Sequence, residues 1–242
     1  MPEDTRITQL RWRANTGDID AQFGLGVMYT HGQGVPRDDT QALQWYRKAA
    51  ERGDAAAQFN LGMGYDTGRG VPRDDTQAVQ WYRKAAEQGD ADAQSKMGVM
   101  YTYGRGVPQD DAQAVQWFRK AAEQGHAAAQ FNLGVMYDRG WGVPQDDTQA
   151  VQWYRKAAEQ GDADAQFNLG VMYDHGWGVP QDDIEAHKWL HVAASRASTD
   201  EHKEVAEMRE LVGNGMTATQ IAEAQKRANE WMEAFEKKQT PQ

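Results

Sequence analysis

Apolar residues recur along most of the chain at the spacing of an amphipathic helix, and the pattern breaks at regular intervals. Ala57, Leu61 and Tyr65 follow one another in steps of four residues, which places them on one face of a helix. This spacing predicts a first helix over residues 55–66. Alanines and a tryptophan at similar steps predict a second helix over residues 75–87.

The breaks carry residues that end one helix and begin the next. Residues 68–72 contain two glycines and a proline, which predicts a turn rather than a continued helix. Asp74 is expected to be the N-cap of the second helix, with Gln77 three residues further on as in a capping box. Gly89 is expected to end that helix. Every unit has a glycine inside its first helix at the position of Gly62. This predicts that the two helices of a unit touch at that glycine.

These elements belong to a unit that is repeated five times. Glycines mark the repeat at intervals of 36 residues: Gly17, Gly53, Gly89, Gly125 and Gly161. The unit at 125–160 differs from the unit at 53–88 at six of 36 positions. A period of this length is typical of a solenoid, in which each unit buries its apolar face against its neighbours. The five units cover residues 17–196.

The two ends of the chain differ from the repeats and are predicted to be caps. Residues 1–16 align with half a unit and predict a single helix. Residues 197–242 contain two further helical segments, at about 200–212 and 218–237. The second segment carries an apolar stripe formed by Ile221, Ala224, Ala228, Trp231 and Phe235. This stripe either shields the last repeat or docks a partner or a second copy of the chain.

The repeated motif resembles a known family. A unit reads A-Q-F-N-L-G-V-M-Y, then G-x-G-V-P-x-D-D, then A-V-Q-W-Y-R-K-A-A-E-Q-G. In the second unit its signature residues are Ala57, Leu61, Gly62, Tyr65, Gly68, Gly70, Val71, Asp74, Ala78, Trp81, Ala85, Ala86 and Gly89. The pattern is similar to the Sel-one-like repeat (SLR), a close relative of the tetratricopeptide repeat (TPR). The resemblance implies an all-α fold, a right-handed α-solenoid superhelix of helix-turn-helix repeats that serves as a protein-interaction scaffold or adaptor.

Charge and composition argue against several classes of protein. Lys plus Arg number 26 and Asp plus Glu number 36, giving a formal net charge of −10, which disfavours nucleic acids and anionic membrane surfaces as partners. No apolar run approaches the length of a membrane span, so no membrane insertion is expected. Cysteine is absent. No signal peptide is visible, which predicts a cytoplasmic protein as written, or a periplasmic one if an export signal has been removed.

The sequence offers no recognisable catalytic centre, cofactor motif or metal site. None of its three serines begins a Ser-x-x-Lys motif or stands at the centre of a Gly-x-Ser-x-Gly motif, the two patterns typical of serine hydrolases. His187 and His191 are four residues apart, a spacing that can bind a metal from one helix face, but without an identifiable third ligand a structural or surface role is favoured. The alternative function is a hydrolase with β-lactamase-like or cell-wall-related activity. It would require a site assembled from His175, His187 and nearby carboxylates.

In near-identical repeats the variable positions are the candidates for specific binding, because packing explains the constant ones. One position on the first helix holds Asn60, Lys96, Asn132 and Asn168, and Met63 varies one turn further on. Positions three or four apart form one stripe. In TPR proteins, which the chain resembles, that stripe lines the concave, peptide-binding groove. An asparagine ladder could hold a peptide backbone, since a carboxamide both donates and accepts, and the lysine could anchor an acidic group. The alternatives are a solvated groove and asparagines that bond between units.

A second variable set lies where the first helix enters the turn. Its members are Tyr103, Arg139, Trp141, His175 and Trp177. Exposed tryptophan is a common interface anchor, so the turns of the third to fifth units form a second candidate surface for a protein or peptide partner. The alternative is that each tryptophan folds back on its own turn or on the next unit. A self-assembling structural array of this chain is a further possibility.

Overall fold

Thirteen α-helices account for most of residues 5–195 and 201–239, which are the residues that the computed structural model describes. This described part contains no strand, and none of its helices is long and apolar enough to cross a membrane. The chain divides into two compact units, Met1–Gln124 and Gly125–Gln242. The prediction of an all-α fold is therefore confirmed.

The first unit contains seven helices: α1 Thr5–Asn15, α2 Ile19–His31, α3 Asp39–Glu51, α4 Ala55–Thr67, α5 Asp75–Glu87, α6 Ala91–Tyr103 and α7 Asp111–Glu123. Helix α1 packs on α2, as expected of a half-repeat at the start of the array. Each later pair, α2 with α3, α4 with α5 and α6 with α7, packs internally and against its neighbour. This nearest-neighbour packing is the solenoid arrangement that the period predicted.

The second unit contains six helices: α8 Ala127–Arg139, α9 Asp147–Glu159, α10 Ala163–His175, α11 Asp183–Ala194, α12 Glu201–Asn214 and α13 Ala218–Gln239. Helices α8 to α11 repeat the pairwise packing of the first unit. Helices α12 and α13 both pack on α11, so the two tail segments predicted from the sequence lie against the last repeat.

Aspartate side chains fix where the repeat helices begin. Asp54 accepts a hydrogen bond from the backbone N–H of Ala57 at 2.6 Å, and Asp74 accepts one from Gln77 at 2.9 Å. These caps satisfy N–H groups that have no partner inside the helix. The helices predicted over the second repeat consequently match α4 and α5 to within one residue.

A glycine lets the two helices of a repeat approach each other closely. A Cβ atom on Gly62 would lie 2.6 Å from Cδ1 of Tyr82, and a Cβ atom on Gly134 would lie 2.6 Å from Cδ1 of Tyr154. Both tyrosine rings are buried. Glycine costs about 1 kcal/mol of helix propensity relative to alanine, and here it makes room for the ring. The predicted contact at Gly62 is confirmed.

The tryptophan and the tyrosine next to it on α5 both contribute to the core, Tyr82 as a buried ring and Trp81 as a partly buried ring packed against the core. Tyr82 is buried, whereas Trp81 is only half-buried. The ammonium group of Lys84 lies 4.0 Å from the ring centroid of Trp81, and equivalent pairs occur on α3, α7 and α9. Each ring therefore covers the core on one side and receives a cation–π contact on the other.

Buried glutamines of the first helices bond both to the preceding repeat and to the second helix of their own repeat. Gln58 is buried, and its Nε2 donates to the carbonyl oxygen of Ala50 at 3.0 Å. Its Oε1 accepts from Nε2 of Gln88, 30 residues later, at 2.8 Å. The same bond joins Gln124 to Gln94 and Gln160 to Gln130, at 2.7 Å each. We call these three bonds the glutamine ladder. They satisfy buried amides that would otherwise be costly.

The apolar stripe of α13 covers the last repeat. Ala224 is fully buried, and the rings of Trp231 and Trp189 meet edge to face with their centroids 5.5 Å apart. Arg227 adds an ion pair to Glu185 of α11 at 3.1 Å. These contacts support the interpretation of the stripe as a cap.

Candidate functional site

Variable side chains from neighbouring repeats meet in notches. A notch lies between the end of one repeat's first helix, the start and middle of its second helix, and the first helix and turn of the next repeat. The first notch is a cavity of about 60 Å³ whose lining includes Thr30, Tyr46, Asn60, Met63 and Arg69. Two residues of the predicted stripe and one turn position therefore border the same cavity.

A turn glycine fixes the geometry of each notch. Gly178 has a φ of +67°, and a Cβ atom there would lie 2.3 Å from the backbone carbonyl oxygen of Asp147, the first residue of α9. Gly70 and Gly106 approach Asp39 and Asp75 in the same way. Only glycine tolerates both this φ and this contact. The residue before each glycine is therefore held beside the start of the preceding repeat's second helix.

An arginine closes the notch between the second and third repeats. Arg105 Nη2 lies 2.5 Å from Oδ1 of Asp66 and 2.9 Å from Oδ1 of Asp75. Its Nε donates to Oδ2 of Asp75 at 3.2 Å, and the Tyr82 hydroxyl donates to Oδ2 of Asp66 at 3.1 Å. We call these four residues the latched notch. The guanidinium bridges two helices of one repeat from the turn of the next.

The electrostatics of the latched notch follow from these bonds. Hydrogen bonds from Arg105 and then from Arg73 lower the pKa of Asp75 to about 2. Burial raises the pKa of Tyr82, and the negative charge of Asp66 raises it further. The pKa of Arg105 is raised, chiefly by its bonds to Asp75. Asp75 and Arg105 are thus held in their ionised forms, and Tyr82 in its neutral form.

The equivalent notch between the fourth and fifth repeats lacks this arginine. Asp138, Asp147, Tyr154 and Trp177 stand 72 residues after Asp66, Asp75, Tyr82 and Arg105, respectively. We call these four residues, together with Asn168, the open notch. The cavity has a volume of about 240 Å³ and is lined by Asp138, Arg139, Tyr154, Phe167, Asn168, Val171, Met172 and Trp177. This cavity is larger than that of the first notch.

Asp138 is the partly buried carboxylate of the open notch. Its Oδ2 accepts from the Tyr154 hydroxyl at a long 3.5 Å and lies 3.4 Å from Nε of Arg139, whose side chain is 65% exposed. Burial raises the pKa of Asp138; Arg139 partly offsets this effect, and the charge of Asp147 adds to it. The direction is opposite to that of Asp75, because burial dominates at Asp138 whereas hydrogen bonds from Arg105 and Arg73 dominate at Asp75.

The asparagines of the predicted ladder have different surroundings. Asn60 and Asn132 each donate their Nδ2 to the carbonyl oxygen four residues earlier in their own helix, at 2.8 and 2.7 Å. Asn168 instead borders the open notch together with Tyr154, while Lys96 at the equivalent position is half-buried. Asn60 and Asn132 each use one amide N–H within their own helix, and their second N–H and amide oxygen are left for a ligand. A uniform peptide clamp is therefore less favoured than separate notches.

The turn residues are largely exposed. Tyr103 is 71% exposed, Trp141 48% and Trp177 46%. Trp177 folds back on its own turn to the extent that its ring stacks on His175, with the centroids 4.3 Å apart. Arg139 and Trp177 border the same cavity as Asn168. The two surfaces that sequence variation suggested separately therefore coincide at the open notch.

Sequence reasoning did not select Asp138 and Tyr154 as site residues. The ring of Tyr154 lies in the core, but its hydroxyl reaches the notch. Asp138 alternates with threonine at the equivalent position of other repeats. The sequence did contain a signal for Asp138, because it is a charged residue at a variable position near the end of an otherwise similar helix.

The two histidines of α11 lie under the C-terminal cap. His187 is buried, and its ring is 6.5 Å from that of His191, centroid to centroid. His175 lies elsewhere, at the end of α10 against Trp177, so the two histidines named for a hydrolase site have different surroundings. Among residues 5–195 and 201–239, no group of three or more His, Asp or Glu side chains is placed to hold a metal ion.

This histidine pair predicts acid sensitivity of the C-terminal cap. Burial, and then the charge of Arg209, lowers the pKa of both rings. The unfolded chain therefore takes up protons below pH 6.5 that the folded chain does not, so stability is full above that value and falls as the pH decreases. We expect the Tm to drop between pH 7.5 and 5.5, measured by circular dichroism. Replacing both histidines with leucine should reduce the drop; an unchanged drop would contradict this assignment.

Comparison with known proteins adds an independent observation. A family model described as Sel1 repeat matches residues 19–54, 55–90, 91–126, 127–162 and 163–198. A solved Sel1 repeat protein from Oxalobacter formigenes is 37% identical, over 80% of this chain and 85% of that one, with a TM-score of 0.72. A protective antigen of uropathogenic Escherichia coli with an SLR fold is 33% identical over 98% of this chain, with a TM-score of 0.63; this chain spans 59% of that protein. Comparison with curated proteins finds no match.

Proposed function

The chain belongs to the Sel1 repeat family, and from this premise we propose that it is a non-catalytic scaffold or adaptor that binds a protein or peptide through the notches between its repeats. The packing residues recur from unit to unit and are buried. The side chains that differ between units include those that line the notches.

One observation carries this proposal: stripe and turn residues that vary between near-identical repeats line the same cavities. In the first notch they are Asn60, Met63 and Arg69. In the open notch they include Asn168 and Trp177. A surface with different side chains at each repeat is suited to reading a partner's sequence, because polar contacts and aromatic anchors supply specificity.

A comparison of variants tests the proposal. The triple variant Asn60→Ala, Asn168→Ala and Trp177→Ala removes side chains from both notches, and Trp12→Ala is the matched control, since Trp12 is 67% exposed on α1. We expect a protein retained from native lysate by the wild type and by the control to bind the triple variant about tenfold less. Quantitative mass spectrometry of the captured proteins measures this ratio.

Two results would contradict the proposal. A partner captured equally by all three proteins would place binding outside the notches. No captured partner, together with a mass in light scattering that grows with protein concentration, would indicate self-assembly instead. Circular dichroism of each variant checks that helicity is retained, so that lost binding is not lost folding.

A further inference from the structure

We propose that the open notch binds an arginine side chain supplied by the partner, in the place that Arg105 occupies in the latched notch. This inference rests on the proposed function and names the chemistry that the notch recognises. The same chain thus contains one notch that holds an arginine side chain, the latched notch, and one that does not, the open notch. The arginine of the latched notch indicates which ligand the open notch would bind.

The latched notch shows that this arrangement accepts a guanidinium. Arg105 bonds to Asp66 and Asp75 at 2.5 to 3.2 Å, with the Tyr82 hydroxyl supporting Asp66 from behind. In the open notch the equivalents of both aspartates and of the tyrosine are retained, and only the arginine is exchanged, for Trp177. The two sites are built by the same helix and turn geometry, including the glycine contact that sets the position of residue 105 or 177.

The open notch has the space and charge for such a ligand. Its volume of about 240 Å³ exceeds the 60 Å³ of the first notch. In the part of the chain that the structure describes, the cation paired with Asp138 is the adjacent and largely exposed Arg139, at 3.4 Å, and surface pairs of this kind contribute little. A planar guanidinium matches two carboxylates and also stacks on an aromatic ring. Trp177, which is 46% exposed at the mouth, offers that ring.

The charge of the whole chain agrees with a cationic ligand. The net charge is −10, which attracts basic segments over longer distances. Lysine satisfies the charge but not the paired geometry, because its ammonium group is a point donor. Arginine is therefore favoured over lysine.

The test uses small probes and the whole 242-residue chain. N-acetyl-arginine amide is titrated while the backbone amide resonances of Asn168 and Val171, present in every variant, are followed by NMR. We expect saturable shifts with a Kd on the order of 1 mM. N-acetyl-citrulline amide, which has nearly the same shape without the charge, should bind about tenfold more weakly, and so should the arginine probe to Asp138→Asn.

The variant Trp177→Arg supplies the second test, because it should latch the open notch with the chain's own arginine. We expect it to lose the shifts caused by the arginine probe and to have a higher Tm than the wild type. Arginine binding that survives in Trp177→Arg or in Asp138→Asn would overturn the inference. So would a lower Tm of Trp177→Arg, since the notch would then reject a guanidinium.

These outcomes separate the inference from the proposed function. If the arginine probe does not bind but a captured partner still depends on Asn168 and Trp177, the scaffold function stands and the arginine inference is wrong. If neither the probe nor any partner depends on the notches, both fail.

Discussion

Replacing Arg105 with alanine should lower the free energy of unfolding by about 2 kcal/mol, because it leaves Asp66 and Asp75 without their shared partner. The side chain of Asp66 is only 10% exposed, whereas that of Arg105 is 30% exposed. The loss is therefore expected to stay below that of a fully buried pair. Urea unfolding of the variant and the wild type measures it.

Arg69→Ala is the matched control for this change. Arg69 occupies the same turn position, but it is 50% exposed and its Nη2 is 3.5 Å from Asp39. We expect its loss to cost less than about 0.5 kcal/mol. Equal losses in the two variants would show that the latch adds nothing beyond an ordinary surface arginine.

Acid titration gives the latch a second signature. The pKa of Asp75 is lowered from 3.8 to about 2, chiefly by Arg105. Its contribution to stability is therefore complete above pH 3.8 and disappears as the pH falls towards 2. The Arg105→Ala variant should lose part of this acid dependence, whereas Arg69→Ala should keep it.

Introducing methionine at Gly64 should destabilise the protein by about 2 kcal/mol, and a second change, Leu43→Val, should restore most of the loss. A Cβ atom on Gly64 would lie 2.5 Å from Cδ2 and 2.7 Å from Cδ1 of Leu43. Other repeats solve the same packing problem with valine and methionine, as Val79 and Met100 do in a shared core cluster. The larger side chain of Leu43 thus fills the space that the absence of a side chain at Gly64 leaves.

A double-mutant cycle measures this coupling. Leu43→Val alone removes one methylene group and should cost about 1 kcal/mol, while the double variant adopts the arrangement of the other repeats. We expect the two changes to differ from additivity by about 2 kcal/mol in the stabilising direction. Additive effects, with the double variant the least stable, would refute the compensation.

The sequence predicted the local structure well because its determinants are local. Asp74 caps the helix that begins after it, and Gly62 makes room for Tyr82 within the same repeat. Both relations lie within one 36-residue unit. Comparison of five similar units separates such constant residues from variable ones without any structure.

Relations between repeats were harder to predict. Asp66 and Arg105 are 39 residues apart, and each belongs to a variable position whose partner is not evident from its own unit. Gln58 was equally difficult to predict, because a glutamine in a helix is usually exposed, yet here it is buried and donates to the carbonyl oxygen of Ala50 in the preceding repeat. The half-buried Trp81 shows the same limit, since its ring packs against a core cluster to which the preceding repeat contributes.

The glutamine ladder also bears on how such a chain can change its length. Each bond joins a donor and an acceptor 30 residues apart that recur every 36 residues, so a unit copied in register brings a matching donor and acceptor with it. Duplication of one unit would therefore add one further glutamine–glutamine hydrogen bond, and no buried amide of the new unit would be left without a hydrogen-bond partner. The six differences in 36 between residues 53–88 and 125–160 are what a copying event followed by divergence would leave. Gene duplication can therefore extend this array by whole units, and subsequent substitution at the notches can give each copy a new ligand.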